Sequence, residues 1–243
     1  MVCLCLLLTL PGFAQQGFHF GLVSGLHRSY IHDDFVDDSP AYKGVRKFSS
    51  TGLGLAVGYH ISENAGFKAE IFANEQGQRW DYFDRTGATP VKQGELVNYC
   101  RYLVLPAYLN IKGKTGFFRL NFQLGAQYTA LLRGYEVYNL DKGRPSEFLS
   151  SNKSIDSTKF GLRSSDIQVI MGFGFNLHIN KELYLSMLGR INYGFFDMRD
   201  DNFKQALRGG QSSEIYKELR RTGYTPRNNY GYLIQIGAHY SPF

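Results

Sequence analysis

Residues 118–128 read Phe-Arg-Leu-Asn-Phe-Gln-Leu-Gly-Ala-Gln-Tyr, apolar at every even position and polar or glycine at every odd one. Successive side chains of a β-strand point to opposite faces, so this segment presents one oily face and one that is polar or empty. Seven further segments repeat the alternation, at 17–28, 52–61, 66–80, 96–112, 165–179, 183–196 and 229–240. A tilted strand needs about 9–11 residues to cross the hydrocarbon of a bilayer, and these segments have that length or more.

The connections alternate too. Gaps 29–51, 81–95, 134–164 and 197–228 are long, whereas 62–65, 112–116 and 180–182 are tight turns. Long loops at one end and short turns at the other are the asymmetry of a bacterial outer-membrane barrel, and a soluble sandwich has no reason to show it. An even strand count puts both termini on the periplasmic side. In the first two segments the oily positions Phe18, Phe20, Leu22, Leu53, Leu55 and Val57 alternate with glycine, alanine and histidine. Small inward residues suit a narrow lumen. Segment 96–112 is apolar on both faces, and Pro106, which has no N–H to donate to a ladder, predicts a bulge. Tyr99, Tyr128, Tyr193, Tyr230, Tyr232 and Tyr240 fall near segment ends, where an aromatic girdle would sit. The expected fold is all-β: an eight-stranded antiparallel transmembrane β-barrel with short periplasmic turns and long extracellular loops.

Composition is consistent with this. A mean hydropathy of −0.28 would argue against helical spans, but half of each barrel strand faces inward and is free to be polar. The continuous apolar run, Val2 to Leu10, is too short for a spanning helix, which needs about 20 residues. Gly12 and Ala14 after it have the spacing of a signal-peptidase site, predicting a signal peptide over 1–14, export, and a barrel domain over 15–243. Cys3 and Cys5 would leave with the signal, so Cys100 alone remains and neither a disulfide nor a cysteine metal site is expected. The net charge of +6 is modest for nucleic-acid binding, which is not expected, and fits an anionic membrane surface.

The chain resembles the PorT-like outer-membrane β-barrel family of Gram-negative bacteria. The residues that carry the resemblance are Phe13-Ala14-Gln15-Gln16 closing the signal, the glycine-rich first hairpin, the strand Arg101-Tyr102-Leu103-Val104-Leu105-Pro106-Ala107-Tyr108-Leu109, and the terminal Gly237-Ala238-His239-Tyr240-Ser241-Pro242-Phe243. The resemblance implies insertion by the barrel assembly machinery and a non-catalytic, structural or accessory role in a surface or secretion assembly, with an envelope protein as partner.

The inward positions carry Lys68, Glu70, Arg119, Asp166, His178 and Arg190. Acids and bases in a narrow lumen should pair, because an unpaired buried charge costs several kcal/mol. The expectation is therefore a salt-bridged plug, with a small channel or transporter as the alternative. The first long loop holds Asp33, Asp34, Asp37 and Asp38, carboxylates suited to a hard cation but without the spacing of a calcium loop. His32 beside Asp33 is a His/Asp neighbour pair of the kind a barrel hydrolase would use. The fourth long loop carries Arg199, Lys204, Arg208, Lys217, Arg220 and Arg221, a basic set that would meet lipopolysaccharide phosphates or a partner, with a short helix expected over 212–221. Phosphate loops, nucleophile elbows and zinc motifs do not appear, so neither cofactor, metal nor catalytic residue is expected.

Overall fold

The computed structural model describes residues 17–33, 42–47, 49–62, 64–84, 87–113, 117–140, 162–199, 205 and 226–242. The expected signal peptide over 1–14, Asp34, Asp37, Asp38, the helix expected over 212–221, and Lys204, Arg208, Lys217, Arg220 and Arg221 lie outside the described residues.

The strands are β1 (Phe18–Asp33), β2 (Tyr42–Lys47), β3 (Ser49–His60), β4 (Ala65–Asp84), β5 (Val91–Lys112), β6 (Phe118–Leu140), β7 (Ser165–His178), β8 (Leu183–Gly194) and β9 (Arg227–Tyr240). Eight of them pair antiparallel in chain order, and β9 returns to β1, from Phe20↔Tyr240 to Asp33↔Arg227, so the sheet closes on itself. The short β2 rides above β3 and pairs with the upper part of β4. Closure leaves the ring without an edge, which is what a sheet needs in hydrocarbon, where unpaired backbone groups find no water.

The alternation has the expected sense. Phe18, Phe20, Leu22 and Leu26 of β1, Leu53 and Leu55 of β3, Phe118, Leu120, Phe122, Leu124 and Tyr128 of β6 and Ile234 and Ile236 of β9 are all exposed on the outer wall. At about 3.3 Å per residue and a tilt of about 40°, residues 118–128 climb roughly 25 Å, the height of the apolar band of an outer-membrane barrel. Tyr30 stacks on Tyr230 with ring centroids 4.8 Å apart at the loop end of this band. Water cannot wet such a belt at a tolerable cost; lipid can. The chain is an integral outer-membrane β-barrel.

Three expectations about strand extent need correcting. The sequence reading puts strand ends near Trp80, Leu96 and Tyr128; β4 instead runs to Asp84, β5 starts at Val91, and β6 continues to Leu140. The gap 81–95 is therefore mostly hairpin, paired through Asp84↔Val91. Beyond the belt the outside is water, so the polarity of the alternation inverts. The outer wall there carries Arg79 3.4 Å from Glu95 and Lys92 2.7 Å from Asp81. The inside carries an apolar cluster of Ile31, Trp80, Cys100, Tyr102, Leu162 and Met198. A rule keyed to oily-outside cannot see such strands. Pro106 also makes no bulge: the β4–β5 register is unchanged from Ala69↔Ala107 to Phe72↔Val104, and pairing merely lapses between them. The register of β5 shifts instead at Arg101/Tyr102 against β6 and opposite Tyr82/Phe83 against β4.

Where β3 hands over to β2, the ladder along β4 is completed by side chains of neighbouring strands. Ser50 Oγ accepts from Glu75 N–H at 3.0 Å and donates to its carbonyl at 3.3 Å. Ser29 Oγ does the same for Gly77, at 2.8 and 3.2 Å. Gly77 has φ 150°, a conformation glycine adopts without penalty. Two serines thus keep the wall sealed where a strand is missing.

Candidate functional site

The odd residues of β1 and the even residues of β4 and β5 point inward, and the lumen they line is filled. At its centre lies Glu70, its side chain fully shielded from solvent. Arg190 of β8 donates Nη1 to Glu70 Oε2 at 3.1 Å, and Lys68 Nζ lies 3.4 Å from Oε1. Tyr108 of β5 donates its hydroxyl to Oε1 at 2.5 Å, and Gln235 of β9 donates Nε2 to Oε2 at 3.1 Å. Arg190 also donates Nη2 to Gln123 Oε1 at 3.1 Å and lays its guanidinium 4.8 Å from the Tyr108 ring centroid. Four strands therefore meet on one carboxylate, and β6 joins through Gln123 on Arg190. That is the geometry in which a buried ion pair holds: remaining lone pairs and protons are taken up by further hydrogen bonds.

Above this centre the lumen is bridged by amides. Gln127 donates to Gln168 Oε1 at 2.6 Å, Asn192 donates to the same oxygen at 2.7 Å, and Asn192 Oδ1 lies 3.3 Å from His27 Nε2. A cavity beside Val23, His27, Leu233 and Gln235 measures about 10 Å³, room for no more than a single water. Higher still, the apolar cluster around Trp80 closes the interior. Below the centre lies a group of rings: His19 stacks on His60 at 4.4 Å, and Tyr184 stacks on His239 at 4.6 Å and on His178 at 5.3 Å.

Of the six lumen residues read from sequence, Lys68, Glu70 and Arg190 meet. Asp166 stands apart towards the loop end, accepting from Gln168 Nε2 at 3.0 Å. Arg119 and His178 lie at the turn end, on β6 and β7. Tyr108, Gln123 and Gln235 belong to the network although they carry no charge; their inward parity was the available signal. Lys112, where the sequence ends segment 96–112 and begins the turn, is the last residue of β5, and its side chain is buried in the lumen. His32 sits exposed on the outer face at the end of β1, and Asp33 pairs through its backbone with Arg227. Arg199, expected in a solvent-facing basic set, is instead buried: its segment bridges to Leu162 and folds over the lumen mouth, with Arg199 N–H donating to Asp197 Oδ1 at 3.0 Å. It is not placed to meet lipopolysaccharide.

No family model matches the chain, and no curated protein matches it by sequence. Among solved structures it is similar to Neisserial surface protein A, with 10% identity, a TM-score of 0.42 and coverage of 92% of this chain and 96% of that one. It is also similar to the outer membrane protein OprG from Pseudomonas aeruginosa, with 15% identity, a TM-score of 0.42 and coverage of 93% and 97%. A third similar structure is the outer membrane protease OmpT from Escherichia coli, with 10% identity, a TM-score of 0.40 and coverage of 96% and 99%. The barrel itself rests on the closed strand registers and the apolar belt, and these likenesses accompany it.

Proposed function

We propose that the protein is a non-conducting, non-catalytic barrel that serves as a structural or accessory component of a surface or secretion assembly, as the PorT-like resemblance implies. The observation that supports the reading is the lumen: among the described residues, a carboxylate tied to four side chains, amide bridges above it and an apolar cluster above those leave no water-filled path. Small barrels of eight strands have interiors just wide enough for their own side chains. The tall wall of β4, β5 and β6 rising past the belt supports the second half of the reading, since it offers a rigid polar surface beyond the membrane for an envelope partner. Lipopolysaccharide around the belt and the barrel assembly machinery during insertion are the other partners this reading requires.

The test is a planar-bilayer recording of the purified barrel, paired with affinity capture from detergent-solubilised envelopes. The expected result is an electrically silent membrane and a stoichiometric envelope partner. Steady unitary currents would overturn the reading in favour of a small channel.

A further inference from the structure

The turn end of the lumen contains a buried cation that no described carboxylate balances. Lys112 is 6% exposed, and among the described residues no carboxylate lies within ion-pair distance of its ammonium. Its neighbours are the His60 ring, 3.2 Å from Nε2 and 3.3 Å from Nδ1, and the face of Tyr184, 5.1 Å to the centroid. Imidazole and phenol faces soften the cost of burying an ammonium but do not neutralise it. The network's carboxylate, Glu70, is already held by Lys68 and Arg190.

A second observation lies in the same place. Nδ1 and Nε2 of His19, Nδ1 of His239 and Nε2 of His178 are buried without hydrogen-bond partners, and His19 is only 1% exposed. These four ring nitrogens give this end of the lumen hydrogen-bonding capacity that no protein group takes up. The rim is open enough to admit a ligand. His60, His178 and Arg119 are half-exposed, and Lys112 ends its strand at the mouth. Arg119 pairs with Asn176 across β6 and β7, two residues from His178 on the same inward face.

We propose that this mouth binds a phosphate-type oxyanion from the compartment that the tight turns face, held by Lys112 and Arg119 with His60 and His178 as neighbouring donors. A tetrahedral oxyanion offers several acceptors to an ammonium, a guanidinium and imidazole N–H groups converging from different strands. The site lines the lumen and not the lipid-facing wall, so the ligand is soluble and not a lipid headgroup.

The test uses the full chain in a neutral detergent, titrated with inorganic phosphate and with chloride at matched ionic strength. The readouts are the unfolding midpoint and the phosphorus-31 linewidth. The expected result is a saturable rise in midpoint and line broadening with phosphate alone. Lys112→Met should weaken phosphate binding by about tenfold or more, the loss of one charge-assisted contact. Arg28→Gln on the outer wall should leave it unchanged. Equal responses to phosphate and chloride, or wild-type phosphate binding by Lys112→Met, would overturn the proposal. Should Lys112→Met fail to assemble, Lys112→Arg must retain the phosphate response, and its loss there would count against the site. Micelles doped with phosphatidic acid provide the last arm: a response to that lipid without one to inorganic phosphate would refute a soluble ligand.

Discussion

Glu70→Gln should destabilise the barrel by about 3–5 kcal/mol, the cost of leaving a buried ion pair without one partner. The substitution keeps the shape of the side chain but removes the charge that Lys68 and Arg190 both contact. It also changes the acceptor of the Tyr108 hydroxyl and of the Gln235 amide, so the loss spreads over strands β4, β5, β8 and β9. The triple variant Lys68→Met, Glu70→Met and Arg190→Met should recover part of that stability, since an apolar set of similar volume leaves no desolvated charge there. Urea titrations of the refolded protein, followed by the mobility difference between folded and unfolded barrel on cold gels, measure both. A Glu70→Gln midpoint equal to wild type would mean that the lumen charges are spectators.

The second large effect concerns the wall. A Cβ added at Gly125 would lie 2.2 Å from the Ala107 carbonyl oxygen and 2.5 Å from Tyr108 Cα. Those atoms are backbone of the paired strand, in register Tyr108↔Gly125, and cannot swing aside. Gly125→Val should therefore exceed the ordinary overpacking cost of about 1–3 kcal/mol and should shift Tyr108 off Glu70. Gly189 supplies the contrast: it faces outward, and its nearest neighbour to an added Cβ is the Phe173 carbonyl oxygen at 3.7 Å. Gly189→Ala should assemble with wild-type yield and stability. The yield of folded barrel from urea into detergent distinguishes the two, and equal yields would contradict the packing argument.

How far the residues alone revealed this molecule depends on which interaction is asked about. Face assignment was legible wherever oil met lipid, because period two is local: Phe118 to Tyr128, Leu53 to Tyr59 and Ile234 to Tyr240 needed only their own strand. Lys68, Glu70 and Arg190 were legible as inward residues by the same parity. Their meeting was not, since Glu70 and Arg190 are 120 positions apart and come together only through the closed register of the ring. Tyr108 and Gln235 escaped notice because they are neutral, yet each donates to the central carboxylate. The upper reaches of β4, β5 and β6 look like loop in the sequence because water replaces lipid there, and the alternation changes sign. Lys112 is legible as the end of segment 96–112, but its burial is not, because strand end and turn 112–116 merge in the sequence and its lumen neighbours come from distant strands.

The account stands on lipid, and not a second layer of protein, covering the outward side chains. Spin labels placed one at a time from 118 to 128 in the bilayer-reconstituted protein test this directly, with Cys100 replaced by serine. Collision rates with oxygen and with a water-soluble nickel chelate should alternate: even positions open to oxygen and closed to nickel, odd positions closed to both. Even positions shielded from oxygen as well would show them packed against protein, and the membrane barrel would be refuted.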